Sequence, residues 1–179
     1  MAYAFISVPV LSFLIFLLIP MVISFYWSFT DYNGLQTEKI IGLQNYVQLF
    51  TRDKNFLTSL KNTSLLVLMG MGVGPTLGMI TAIMLNQKIH CRSLFRTAYY
   101  LPVMTSLVVV STIWVMLYNQ NGLFNTILNS LGINSIGWLS NPKIALISVA
   151  ITSIWQGFGF ETVIFLAALQ SIPVVLYEA

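Results

Sequence analysis

The chain has 179 residues, 57% of them hydrophobic and only 7% charged, and a formal net charge of +3 from eight Lys/Arg against five Asp/Glu. A soluble domain carries about 25% charged residues, so this chain cannot cover a water-facing surface and reads as an all-α integral membrane protein. The basic residues are scattered through linkers without a run or stripe, which argues against a nucleic-acid partner. The single Cys91 beside the single His90 supplies neither a disulfide framework nor a metal-ligand set.

In chain order, the first element is an uncharged stretch from Tyr3 to Phe29. Its length, without a basic leader or a small-residue cleavage site, argues against a signal peptide. Further apolar stretches run from Thr63 to Leu85, Thr97 to Tyr118 and Ile144 to Gln170. Each reaches the ~20 residues that cross a ~30 Å hydrocarbon core. Backbone polar groups in lipid must be satisfied within the segment, so four transmembrane helices are expected.

The linker over 30–62 contains "IGLQNYVQLF", with Leu43, Tyr46, Val47 and Phe50 on one helical face. It predicts an amphipathic helix on the outer interface with Tyr46 as its aromatic anchor, followed by a turn at Arg52-Asp53-Lys54-Asn55. In the second span Gly70, Gly74, Gly78 and Ala82 recur every four residues around Pro75. Small residues at that spacing admit another helix backbone, and the proline is expected to kink the helix.

The linker "QKIHCRSLFR", Gln87–Arg96, packs three basic residues and no acid into ten positions. That density marks a cytoplasmic loop, which also puts the amino terminus and the carboxy-terminal segment in the cytoplasm. The linker after the third span is rich in Asn, Gly and Ser. Its apolar set Leu123, Phe124, Ile127, Leu128 and Leu131 suggests one short helix.

The fourth span carries a polar stripe, Ser148, Thr152 and Gln156, and Glu161, the only acid in any of the four stretches. A carboxylate at that depth costs several kcal/mol unless paired or hydrated, and so marks a functional-site candidate. On an ideal helix Glu161 lies ~140° around from Gln156, at about 100° per residue. Unwinding at Gly157-Phe158-Gly159 would bring both into one cavity. Glu161, Gln156 and, more weakly, Trp155 are the candidate site residues of this span. Pairing of Glu161 with a neighbouring helix is the structural alternative. After this span, Pro173 suits the first turn of a new helix.

The stretches "IGLQNYVQLF", "LFRTAYYLPVMTSLVVVSTIWVMLYNQNGLFNTIL", "WLSNP" and "IFLAALQSIPVVLYEA" resemble, in order and spacing, the inner-membrane permease subunits of bacterial ABC sugar importers. The resemblance implies a type-1 importer permease in which Tyr177, Glu178 and Ala179 open the cytoplasmic coupling loop that docks on an ATPase. It implies a chain that stops there, with the family's last two helices missing. The division is then 1–29 first transmembrane helix, 30–62 extracytoplasmic linker and 63–179 partial permease domain.

It further implies residence in the bacterial plasma membrane, and as partners ABC ATPase subunits, a second permease subunit, an extracytoplasmic solute-binding protein and a sugar-like solute. No cofactor is implied. The nucleotide-binding pattern G-x4-G-K-[ST] is absent, so ATP falls to a partner. An ion-coupled transporter fragment is the alternative, although it predicts more charges within the spans than Glu161 alone. An intramembrane enzyme would need paired catalytic groups, and an inactive gene remnant is the remaining reading.

Overall fold

The computed structural model describes residues 2–35, 37–87 and 92–173. Those residues are helical apart from loops and a single antiparallel bridge between Thr30 and Ile40. Contacts divide the chain into two compact units, Met1–Lys61 and Asn62–Ala179.

In the first unit α1 (Ala2–Phe13), a π-helical turn (Leu14–Leu18) and α2 (Ile19–Trp27) follow one another directly. Phe5–Trp27 is long and apolar enough to cross a membrane, and none of it is buried within the unit. These are side chains suited to lipid. Beyond α2 the chain folds back, and Glu38 accepts hydrogen bonds from Trp27 Nε1 and Tyr26 Oη.

The predicted amphipathic helix is α3 (Gln44–Thr51). Its Asn45 side chain donates to the carbonyls of Ser28 and Thr30, tying the helix to the chain that leaves α2. The Tyr46 hydroxyl lies 2.7 Å from Ser28 Oγ, and its ring lies 5.6 Å from that of Phe29. Tyr46 therefore packs on the end of the first span, where Ser28 offers its hydroxyl a partner. Leu43, Val47 and Phe50 remain exposed.

The expected turn falls at Arg52-Asp53, between α3 and α4, and its second half is already a helix start. The Asp53 carboxylate accepts from the backbone N–H groups of Asn55 and Phe56, satisfying donors that the first turn leaves orphaned. α4 (Lys54–Asn86) consequently begins well before Thr63 and runs 33 residues through Pro75. At 1.5 Å per residue that is about 50 Å, longer than a bilayer core.

The third apolar stretch is not one straight helix. α5 (Arg92–Met104) and α6 (Leu107–Leu117) meet at a bend of 100°. Pro102 withholds the N–H that would bond to Ala98, and the Thr105 N–H closes a tight turn on the Pro102 carbonyl. Ser106 is then extended (φ −55°, ψ 136°) before α6 begins. Three described helices are long and apolar enough to cross a membrane, or four if this bent pair is one span.

α7 (Leu123–Ser130) is the short helix expected in the Asn-rich linker. Its fully buried Asn125 organises the whole connection. Asn125 Oδ1 accepts from the Ile136 N–H and from Trp138 Nε1, while Nδ2 donates to the carbonyls of Asn119, Gln120 and Ile136. α8 (Pro142–Ser171) follows, with Asn141 as its N-cap and Pro142 at the first position, where a missing N–H is harmless. Ala82, Leu85 and Leu166 form a small buried core with Tyr99, Phe165 and Leu169 around it, joining α4, α5 and α8.

Candidate functional site

The candidate residues converge on α8, and glycine decides how. Gly159 is buried, and a Cβ there would collide with the Tyr99 carbonyl of α5. The two backbones approach as small residues allow between membrane helices. The expected unwinding at Gly157–Gly159 does not occur. α8 is helical throughout, and the Thr162 hydroxyl bonds back to the Phe158 carbonyl across this turn. Gln156 and Glu161 consequently keep the angular separation of a regular helix and line different cavities.

Glu161 faces the small-residue stripe of α4. A Cβ on Gly74 would stand 3.0 and 3.2 Å from the two Glu161 carboxylate oxygens, and one on Gly78 would stand 2.9 Å from Glu161 Cβ. Gly74, Gly78 and Ala82 are buried, whereas nothing approaches within 4 Å of a Cβ on Gly70. There the helices part around a cavity of about 220 Å³, lined by Gly70, Gly74, Ser153, Gly157 and Glu161 with apolar walls. Among the described residues Glu161 Oε2 is buried without a hydrogen-bond partner, and no Lys or Arg of theirs lines this cavity. A buried acceptor left unpaired is destabilising by about 1–3 kcal/mol, more when charged.

Gln156 lines a second cavity of about 250 Å³, between α6 and α8, with Ser111, Trp114, Tyr118, Thr152 and Ser153. Ser153 borders both spaces. The rest of the polar stripe is used internally. Ser148 is fully buried, its hydroxyl donates to the Trp138 and Ile144 carbonyls, and its own carbonyl accepts from Tyr118 Oη at 2.9 Å. Trp155 stands edge-on to Trp114 at 5.4 Å and retains 39% of its exposure. Trp114 also packs on Tyr118 and Phe124, and Trp138 closes the cluster.

Sequence reading missed Trp114, Tyr118 and Ser111 as lining residues. Trp114 and Tyr118 are one helical turn apart, a signal that reads equally well as core packing. Tyr177, Glu178 and Ala179, and the His90–Cys91 pair, lie outside the described residues.

The described residues combine membrane-length helices, a glycine-faced helix pair and one acid against that face, and the comparisons with known proteins add what the chain is similar to. No family model matches the chain. It is 39% identical over 168 residues to a probable ABC transporter permease protein of Pyrococcus horikoshii, covering 92% of this chain and 57% of that protein. It is 37% identical over 155 residues to the xylose/arabinose import permease protein XacH of Haloferax volcanii, covering 85% and 49%.

Among solved structures, a bacterial ABC transporter that imports the acidic polysaccharide alginate superposes with a TM-score of 0.83 at 28% identity, over 99% of this chain and 60% of that one. By sequence and by fold, the chain is similar to permease proteins of ABC transporters. It spans a little over half the length of the relatives it matches most fully.

Proposed function

We propose that the chain is part of a type-1 permease subunit of an ATP-driven importer for sugars or related solutes, in a bacterial plasma membrane. The subunit is non-catalytic. A separate ATPase hydrolyses ATP, a second permease subunit completes the pathway, and an extracytoplasmic binding protein delivers the solute. The bent α5–α6 pair counts as one span, giving four, with the amino terminus and the Gln87–Arg96 linker cytoplasmic. Residues 1–29 are then the first span, 30–62 the outer linker and 63–179 the permease domain. Tyr177, Glu178 and Ala179 match the start of the coupling loop and are assigned to ATPase contact.

The observation that carries the site reading is the unpartnered Glu161 oxygen beside the Gly70–Gly74 cavity. An acceptor without a donor, next to open space and a serine hydroxyl, suits transient contact with a hydroxyl-rich solute. Gln156 offers an amide from the neighbouring cavity, and Trp155 an apolar ring face. The test is uptake of a labelled sugar by the full-length importer carrying Glu161→Gln. The reading predicts a lower rate or affinity, and unchanged uptake would remove Glu161 from the pathway.

A further inference from the structure

α4 and α8 come together close to their carboxy-terminal ends, against the middle of α5. Leu85, one residue from the end of α4, packs with Leu166 and Leu169 of α8 and with Tyr99 of α5. Two membrane-length helices, α4 and α8, end here, which sets this end of the bundle at a membrane interface. On its flank α5 and α8 enclose an open groove of about 500 Å³. Arg96, Thr97, Tyr100 and Gln170 supply its polar groups, and Leu101 and Met104 continue it along α5. Those two apolar side chains are 62% and 69% exposed. Among the described residues no acidic side chain lines the groove.

One cation with hydrogen-bonding neighbours at a helix-end interface, leading into an apolar trough, is the profile of a phospholipid turned inside out. A guanidinium bonds a phosphate ester through two parallel N–H groups. Basic pockets between transmembrane helices are where anionic head groups bind. We propose that this groove binds an anionic glycerophospholipid, with the phosphate on Arg96 and an acyl chain along Leu101 and Met104. The proposal is independent of which solute the protein handles.

The experiment is native mass spectrometry of the full-length protein in detergent, titrated with phosphatidylglycerol or with phosphatidylcholine of identical acyl chains. Phosphatidylglycerol is expected to bind about tenfold more tightly, the scale of one charge-assisted contact. R96Q should weaken both lipids, which share the phosphate, but phosphatidylglycerol more, so that the preference set by its uncompensated charge is abolished, and R96K should retain part of it. Q170E, which sets a carboxylate in the same mouth, should abolish it as well and serves if R96Q is unstable. Glycerol 1-phosphate should not displace the lipid, since it lacks the chain that fills the trough. Equal binding of the two lipids, or a preference that survives both R96Q and Q170E, would overturn the proposal. So would a structure of the assembled protein with a helix seated in the groove.

Discussion

Gly74 and Glu161 are in contact through the absence of a side chain: the Glu161 carboxylate occupies the space where a Cβ of residue 74 would stand, 3.0 Å from Oε2. The Gly70/Gly74/Gly78 stripe therefore holds three different tolerances. Gly70→Ala should be neutral, because nothing lies within 4 Å of its Cβ. Gly74→Ala should cost little, because the flexible end of Glu161 can move. Gly78→Ala meets Glu161 Cβ at 2.9 Å and the Thr162 backbone at 3.2 Å, so α4 and α8 must separate, at about 1–3 kcal/mol. Gly74→Leu should prevent the helices from docking. Thermal melting of the four purified variants reads the order, and equal stability of the Gly70 and Gly78 variants would refute it.

Glu161→Gln should move stability and transport in opposite directions. The amide keeps the shape and replaces a carboxyl group whose buried oxygen has no partner among the described residues, so the melting temperature should rise. Uptake should fall, as a polar contact with solute is lost. If Glu161 is instead one half of a structural pair, the same variant lowers the melting temperature.

Gln156 and Glu161 line separate cavities on α8. Their contributions should add, since residues without shared partners usually couple by less than about 0.5 kcal/mol. Uptake kinetics of Gln156→Leu, Glu161→Gln and the double variant form the cycle. A coupling of several-fold would mean that both touch one bound solute.

Asn125→Ala should loosen the connection between α6 and α8. It strands the Ile136 N–H and Trp138 Nε1 donors and frees three backbone carbonyls from their donor. Each buried group left unsatisfied is destabilising by about 1–3 kcal/mol. Faster proteolysis within 119–138 is the expected readout, and an unchanged cleavage rate would show the loop is held elsewhere.

Several features were legible in the sequence because they follow from local periodicity. α3, α7 and the glycine stripe each announce themselves by spacing alone. Asp53 did not, since Arg52-Asp53-Lys54-Asn55 suits a turn and a capped helix start equally well, and only the placement of its carboxylate decides. The bend after Pro102 was hidden by hydropathy, which runs unbroken from Thr97 to Tyr118 and says nothing of direction. The separation of Gln156 from Glu161 follows from the ~100° helical step, but the regularity of α8 through two glycines depends on Gly159 packing against α5, a tertiary fact. Tyr46 shows the same limit, because its partner Ser28 lies 18 residues away.

Membrane orientation has a direct check. With the basic linker inside, a cysteine at Ser93 should react only after permeabilisation and one at Asn121 should react from outside. The reverse pattern would invert the topology.

The central claim is that this chain serves in an ATP-driven sugar importer, and ATP dependence of transport tests it most directly. The full-length permease would be reconstituted in liposomes with its partner permease, ATPase and binding protein, and labelled sugar accumulation measured with and without enclosed ATP. Accumulation should require ATP and the binding protein and be indifferent to ionophores, and Glu178→Lys should leave ATP hydrolysis running without uptake. Accumulation that persists without ATP and collapses when ion gradients are dissipated would contradict the account.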